Sequence, residues 1–398
     1  MSFGVFDIAL WELCLLGALL LAFCYEVYFY ARYMSISRKA KGCTKGQCTM
    51  YKGAMYNVQR DKGQSTIVES EEEPGVSVIV CARNEGYNLK PYIQSLLTQD
   101  YPLFEVIIVN DGSEDNTQAV IDEYTALDKR VKTTFVPCGA RVRSTKKLGL
   151  TLAAKAAQYD YLLLTDADCR PESVHWISEM VAPLMQSEIA LGYGAYFKEN
   201  SLLNSVIQYE TLFNGLHFLG AAATGKPYMG VGRNLAYRKD TFFANGGFSH
   251  QMNACAGDDD LFVNKVANKH NTAAVYSRDS VTWSVPKSTW KSWWQQKRRH
   301  LSVSDSYKPS TKRHLLREPM ARGVFYVVLI ALMIVGSPLV MTAAFALMLL
   351  RLGLQLTMLN IGADHFQQPR VGLELIWYDM FLPVVTGCIM LLPKKKDW

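Results

Sequence analysis

"YLLLTDADCRP", residues 161–171, decides the fold. An apolar and aromatic run ends in two carboxylates one residue apart, Asp166 and Asp168, and the chain then turns at Pro171. A run of this length bounded by a turn signal reads as a buried strand. Side chains two apart on an extended strand point the same way, so Asp166 and Asp168 can address one ligand. Two readings follow: a polar turn that closes a strand, or a site that holds a divalent metal and the phosphates attached to it. A lone D-x-D recurs by chance; its position at a strand end gives it weight.

Working outward, "VSVIVCA" (76–82), "FEVIIVN" (104–110) and "VKTTFVP" (131–137) are further short β-rich runs separated by segments of helical character. This alternation predicts an α/β fold with a mostly parallel sheet covered on both faces. Ligands of such sheets bind at the carboxyl ends of the strands. "ARNE" (Ala82 to Glu85), "NDGS" (Asn110 to Ser113) and "DADCRP" all lie at those ends, so they are expected to converge.

Hard carboxylate oxygens at Asp166 and Asp168 suit Mg²⁺ or Mn²⁺. A cation there would offset charge on a departing nucleoside diphosphate. Asp111 can accept a hydrogen bond from a base or ribose, although "NDGS" also makes a good turn and helix N-cap. Lys146 and Lys147 open the helix before the 161 strand, where a cation can meet a diphosphate or simply be solvated. "GDDD" (257–260) sets three like charges side by side, which raises at least one pKa and suits a general base. An acidic helix start, favoured by the N-terminal dipole, is the plainer reading. "WWQQKRRH" (293–300) mixes rings that stack on sugars with guanidiniums that pair with phosphate. It also reads as a juxtamembrane amphipathic helix.

The chain has 398 residues, of which 49% are hydrophobic, enough for a full core and membrane segments besides. Residues 8–31 are long enough to span a bilayer, which takes about 20 apolar residues. No basic n-region or small-residue cleavage site accompanies them, so the expectation is an anchor and not a signal peptide. Glu26 lies inside this run and should meet an interface or protein. Residues 323–350 carry no charge, and Gly336-Ser337-Pro338 breaks them into a hairpin running to about residue 361. The last apolar run, within 374–393, suits an interfacial or re-entrant helix. The net charge of +6 is concentrated. Eight basic residues face one acidic between Arg32 and Lys62, and ten face two between Lys287 and Arg322. Such clusters beside apolar stretches mark cytoplasmic flanks, as does Lys394–Lys396, and no nucleic-acid recognition motif accompanies them. The nine cysteines are scattered, and Cys43 and Cys48 have no second pair to complete a zinc site, so reduced thiols are expected.

Taken as an ordered set, these motifs resemble a membrane-bound member of glycosyltransferase family 2, over roughly residues 75–305. The resemblance implies a GT-A fold and an inverting, metal-dependent transfer from a nucleotide sugar. Ala82, Arg83, Glu85 and Asp111 would then hold the nucleoside, typically uridine, with Lys146 and Asp166 also on the donor. Asp168 would be the closer metal ligand, beside Asp166. Asp259 would be the catalytic base, with Asp258 one residue away as the alternative. Gln296, Arg299 and His300 would stand in the Q-x-x-R-W motif on the acceptor and diphosphate side. His300 replaces that motif's tryptophan, which counts against a processive polymer synthase. The segment "GVGRNLAYRK" (230–239) resembles the stretch near the acceptor site.

The resulting architecture is a membrane helix to residue 31, a basic polar linker at 32–74 and a catalytic domain at 75–305. A juxtamembrane amphipathic segment at 306–322 and a membrane region at 323–398 follow. The expected protein is an integral protein of the cell inner membrane with its catalytic domain in the cytoplasm. Its partners would be a nucleotide-sugar donor, a lipid-linked or oligosaccharide acceptor and the membrane. The alternatives are a processive polysaccharide synthase and a nucleotide-sugar-binding membrane protein without turnover.

Overall fold

The computed structural model describes residues 9–34, 47–51, 54–58, 73–137, 142–252, 254 and 256–392. Lys394–Lys396, Cys43 and most of the basic run after Arg32 lie outside the described residues. Helix α1 (Leu10–Phe29) continues into a π-turn at Tyr30–Met34. A hairpin of β1 (Gln47–Tyr51) and β2 (Ala54–Val58) follows, inside the stretch expected to be a linker. Strand β1 pairs antiparallel with a sheet edge, at Thr49↔Val275. Part of the expected linker is thus paired strand, because the sheet edge supplies backbone partners that no periodicity in the hairpin's own sequence advertises.

The sheet core comes next along the chain: β3 (Val76–Ala82), α2 (Gly86–Leu97), β4 (Phe104–Asn110), α3 (Thr117–Leu127), β5 (Val131–Phe135), α4 (Thr145–Ala156) and β6 (Tyr161–Asp166). All seven residues of β4 are buried, as a strand covered on both faces requires. Strands β6, β3, β4 and β5 lie side by side in that order, all parallel. Their register sets Cys81 opposite Asp166 and Ala82 opposite Asn110, so all three strands end along one edge of the sheet. That edge carries the site.

Beyond Asp166 come β7 (Cys169–Pro171), α5 (Trp176–Val181), β8 (Ile189–Leu191), β9 (Gly194–Tyr196), α6 (Leu202–Ala223) and β10 (Leu235–Arg238). Then α7 (Lys239–Ala244), α8 (Asp260–Val266), β11 (Thr272–Val275) and β12 (Thr282–Ser284) complete the domain. Strand β10 inserts antiparallel between β6 and β8, and β8 pairs parallel with β11. Periodicity identifies a strand but not its direction, so this insertion was not foreseen. A second sheet, β7-β12-β9, begins just past the end of β6, and Ser284 of β12 donates to Asp168 at 3.1 Å.

Helix α9 (Trp290–Leu301) leads to α10 (Pro309–Val335), α11 (Pro338–His365) and α12 (Leu375–Leu391). Helices α1, α10 and α11 are long and apolar enough to cross a membrane, whereas α12 is shorter. The expected hairpin turns at Gly336–Ser337, and α1 braces it: Glu12 accepts a hydrogen bond from the Ser337 amide. Residues 309–322, expected as part of a separate juxtamembrane segment, are the first turns of α10 itself, with Pro319 inside the helix. The charge pattern marks a change of surroundings and not of backbone, because a helix once nucleated propagates through both.

Glu26 meets protein. Its carboxylate lies 2.7 Å from Arg351 Nε of α11, and Arg351 Nη1 lies 2.6 Å from Asp379 of α12. Arg322 of α10 reaches the same Asp379 at 3.2 Å and also pairs with Glu318. Gln355 Nε2 and the Tyr326 hydroxyl donate to Asp379 at 2.9 and 2.7 Å. Isolated charges among apolar helices are costly, and Glu26, Arg322, Arg351 and Asp379 each find partners on neighbouring helices.

Candidate active site

The edge formed by β3, β4 and β6 gathers the predicted residues by local backbone events. Ala82 O accepts from the Asp111 amide at 2.9 Å, which joins the "ARNE" and "NDGS" turns. Asn84 adopts a left-handed conformation, φ 55°, and its side chain accepts from the Glu114 amide at 2.8 Å. Gly112, φ 65°, lets the second turn reverse tightly. Asp111 is buried and accepts from the Thr145 hydroxyl at 2.9 Å. Burial pushes its carboxyl up, against the pull of Thr145, Arg83 and Lys146. Glu85 is pushed up as well, by burial and then by Asp168, against its bond from Asn88.

Helix α4 aims its first turn at this edge, capped by Ser144, which accepts from the Lys147 amide. Lys146 Nζ lies 3.0 Å from Asp166 and 3.0 Å from Asp258, so one ammonium ties the D-x-D to the acidic motif. Lys147 turns the other way. Its ammonium donates to the carbonyls of Gln251, Ala254 and Ala256 at 2.9, 2.9 and 2.6 Å. All three of its donors are used, so of the two lysines only Lys146 turns toward the carboxylates of the cleft.

The acidic motif divides its labour. Burial opposes ionisation of Asp258, yet Lys146 holds its carboxyl below the usual range. Asp259 caps α8: its two oxygens accept the Asp260 and Gly232 amides at 2.7 Å each. Burial and the adjacent Asp258 push its carboxyl up to about 6. Asp260 accepts from the Tyr307 hydroxyl at 2.7 Å, and burial with Asp259 raises it to about 7. Asp259 therefore caps the helix, and its raised proton affinity is of the kind that a base working near neutral pH needs.

Asp166, Asp168 and Cys169 present ligand atoms within 4.8 Å of one another. Asp168 accepts from Ser284 at 3.1 Å and from the Cys169 thiol at 3.5 Å. Burial and the charge of Asp166 push its carboxyl up, a strain that a divalent cation relieves. The carboxylate pair thus fits Mg²⁺ or Mn²⁺. Burial also pushes Cys169 up, so it stays a thiol and donor, not a ligand for a hard ion.

Helix α9 carries Gln296, whose amide donates to the Tyr196 hydroxyl at 3.3 Å, and Arg299, which is exposed. Surrounding protein and the charges of Arg299, Lys297 and Arg233 hold the His300 imidazole below its ordinary range. Trp293, a candidate sugar platform, is instead buried in the core, while Trp294 packs at its margin. The apolar face of α9 needs cover, and α12 provides it.

Sequence reasoning missed Arg233. Its guanidinium stacks 4.0 Å from the Tyr196 ring centre and donates to Gly194 O at 2.7 Å, between Asp168 and the Gln296 side of the cleft. Arg233 lies in the turn before β10, within the 230–239 segment, and its stacking partner Tyr196 ends β9, so no local pattern links them.

A family model described as glycosyl transferase family 2 matches residues 77–244, and one described as glycosyl transferase family group 2 matches residues 161–360. An uncharacterized glycosyltransferase of Haemophilus influenzae is 31% identical over 146 residues, 35% of this chain and 43% of its own. Probable glycosyltransferase YdaM of Bacillus subtilis is 27% identical over 238 residues, 58% of this chain and 55% of its own. A poly-beta-1,6-N-acetyl-D-glucosamine synthase of Staphylococcus epidermidis is 34% identical over 107 residues, 26% of this chain and 25% of its own. The chain thus matches between a quarter and about half the length of these relatives. Among solved structures, the mannosyltransferase PcManGT from Pyrobaculum calidifontis, in complex with GDP-Man and Mn²⁺, superposes with TM-score 0.57. The match is 17% identical and covers 96% of this chain and 100% of that one, a likeness of fold. From the strand-end carboxylates, the acidic motif gathered beside them and these matches, the chain belongs to glycosyl transferase family 2 and carries its GT-A fold.

Proposed function

We propose that the chain is an inverting glycosyltransferase that moves a sugar from a nucleotide-sugar donor to a lipid-linked or glycan acceptor at the cytoplasmic face of a membrane. The observation that carries this reading is the single ammonium of Lys146 shared by Asp166 and Asp258, which joins the donor end of the cleft to the acidic motif. Asp111, Arg83 and Glu85 bind the nucleoside, a uridine in the first instance. Asp259 takes the proton of the acceptor hydroxyl. The new bond forms between that oxygen and the anomeric carbon as the bond to the diphosphate breaks on the opposite side, so an α-linked donor gives a β-glycoside. Charge growing on the departing diphosphate would be offset by a Mg²⁺ or Mn²⁺ ion held at Asp166 and Asp168. Arg299 and Lys146 supply further positive charge, and Gln296 and His300 line the acceptor side. The basic run from Lys287 to Arg322, beside three apolar helices, supports a cytoplasmic site close to the bilayer.

A second reading is a processive synthase, favoured by the likeness to a poly-N-acetylglucosamine synthase over a quarter of the chain. Product length on a defined acceptor separates the two. The proposal itself is tested with purified full chain in detergent, Mn²⁺ and a panel of nucleotide sugars, with nucleoside diphosphate release as readout. Asp259→Asn is expected to lower transfer at least about a hundredfold while nucleotide binding stays within a few-fold. Transfer by that variant at the normal rate would refute the assignment of the base.

A further inference from the structure

Lys146 is the one lysine whose ammonium lies within ion-pair reach of both Asp166 and Asp258, among the described residues. It is 37% exposed along its side chain, and its charge also reaches Asp111 and Asp259. A divalent ion on Asp166 and Asp168 would share the first of these carboxylates with it. Two cations on one carboxylate repel, and at separations of a few ångström that repulsion survives partial exposure. Arg233 adds a third positive charge near Asp168. A diphosphate reverses the balance, because its negative charges are attracted by the ion and by the ammonium together.

We propose that Lys146 makes the donor site select an ion–nucleotide complex over the bare divalent ion. The residue weakens metal binding when no diphosphate is present and strengthens it when one is. Asp258 holds the ammonium in that position from the other side, which links loading of the donor to the segment that bears Asp259. This selectivity rests on the donor-site reading of Asp166 and Asp168.

The test is Mn²⁺ titration of the purified full chain in detergent, followed by electron paramagnetic resonance, without nucleotide and then with UDP or GDP. Lys146→Gln is expected to bind bare Mn²⁺ roughly tenfold more tightly than the unmodified protein and Mn²⁺ with nucleoside diphosphate roughly tenfold more weakly. Lys146→Arg, which keeps the charge, is expected to stay within about threefold of the unmodified protein for bare Mn²⁺. Opposite shifts under the two conditions cannot come from simple misfolding, which weakens both. Bare Mn²⁺ affinity that is unchanged or weaker in Lys146→Gln overturns the selectivity while leaving the donor site standing. Failure of the unmodified protein to bind Mn²⁺ with either nucleotide, or full retention of Mn²⁺ by Asp168→Asn, overturns both.

Discussion

Replacing Lys147 with Met keeps the stem and most of the volume but removes an ammonium on which three backbone carbonyls converge, at 2.6 to 2.9 Å. The side chain is fully buried, so the orphaned carbonyls have no immediate access to water. Each buried acceptor left unpaired costs about 1–3 kcal/mol, which sets an upper bound near 9 kcal/mol for the three. Relaxation lowers that figure. Gln251 and Ala254 also line a cavity of about 450 Å³, into which the loop can turn its carbonyls toward solvent. A net loss of about 3–4 kcal/mol is expected, equivalent to roughly 10 °C in Tm for a domain of this size. The loop leads into Gly257, φ 83°, and then Asp258 and Asp259, so loosening it should move the proposed base before it moves the proposed nucleotide site. Thermal unfolding of Lys147→Met in detergent, with steady-state kinetics, is the assay, and kcat should fall more than donor KM rises. A Tm within about 2 °C of the unmodified protein, with transfer retained, would refute the claim that this buried cation organises the acidic loop.

Two further outcomes follow from charge. Asp259 and Asp260, pushed up to about 6 and about 7, gain their protons well above the ordinary carboxylate range. A base must be ionised, so transfer should rise with pH through about 6 to 7. The folded state binds the extra protons, so stability should fall as pH rises from about 4 through the same window. A rate already flat from pH 5 upward would sink this. In the membrane region, Asp379→Asn leaves Arg322 and Arg351 short of a counter-charge and is expected to cost about 3–5 kcal/mol in unfolding experiments. Arg370→Ala, which removes an exposed pair with Asp364, should cost less than about 1 kcal/mol in the same assay.

Much of the site was legible because its motifs end strands of a parallel sheet, and strand ends on one edge must meet. Asp166, Asp111 and Ala82 needed no more than that rule and the register of β3, β4 and β6. The roles inside the cluster were not legible. Lys146 and Lys147 are adjacent and chemically identical in the sequence, and helix geometry turns one into the cleft and the other into a loop over a hundred residues away. Asp258 and Asp259 are separated in the same way, one by an ammonium and the other by two backbone amides.

The sequence by itself determined the alternation of strands and helices, the helices long and apolar enough to span a membrane and the carboxylates offered at strand ends, since hydrophobic periodicity and turn chemistry are local properties of the chain. Tertiary structure alone decided the direction of β10, the attachment of the β1–β2 hairpin, the stacking of Arg233 on Tyr196 and the partners of Glu26 and Asp379. These depend on which surfaces and charges meet across large separations in sequence. A pattern read along the chain records what each residue can bond, and only folding fixes what it does bond.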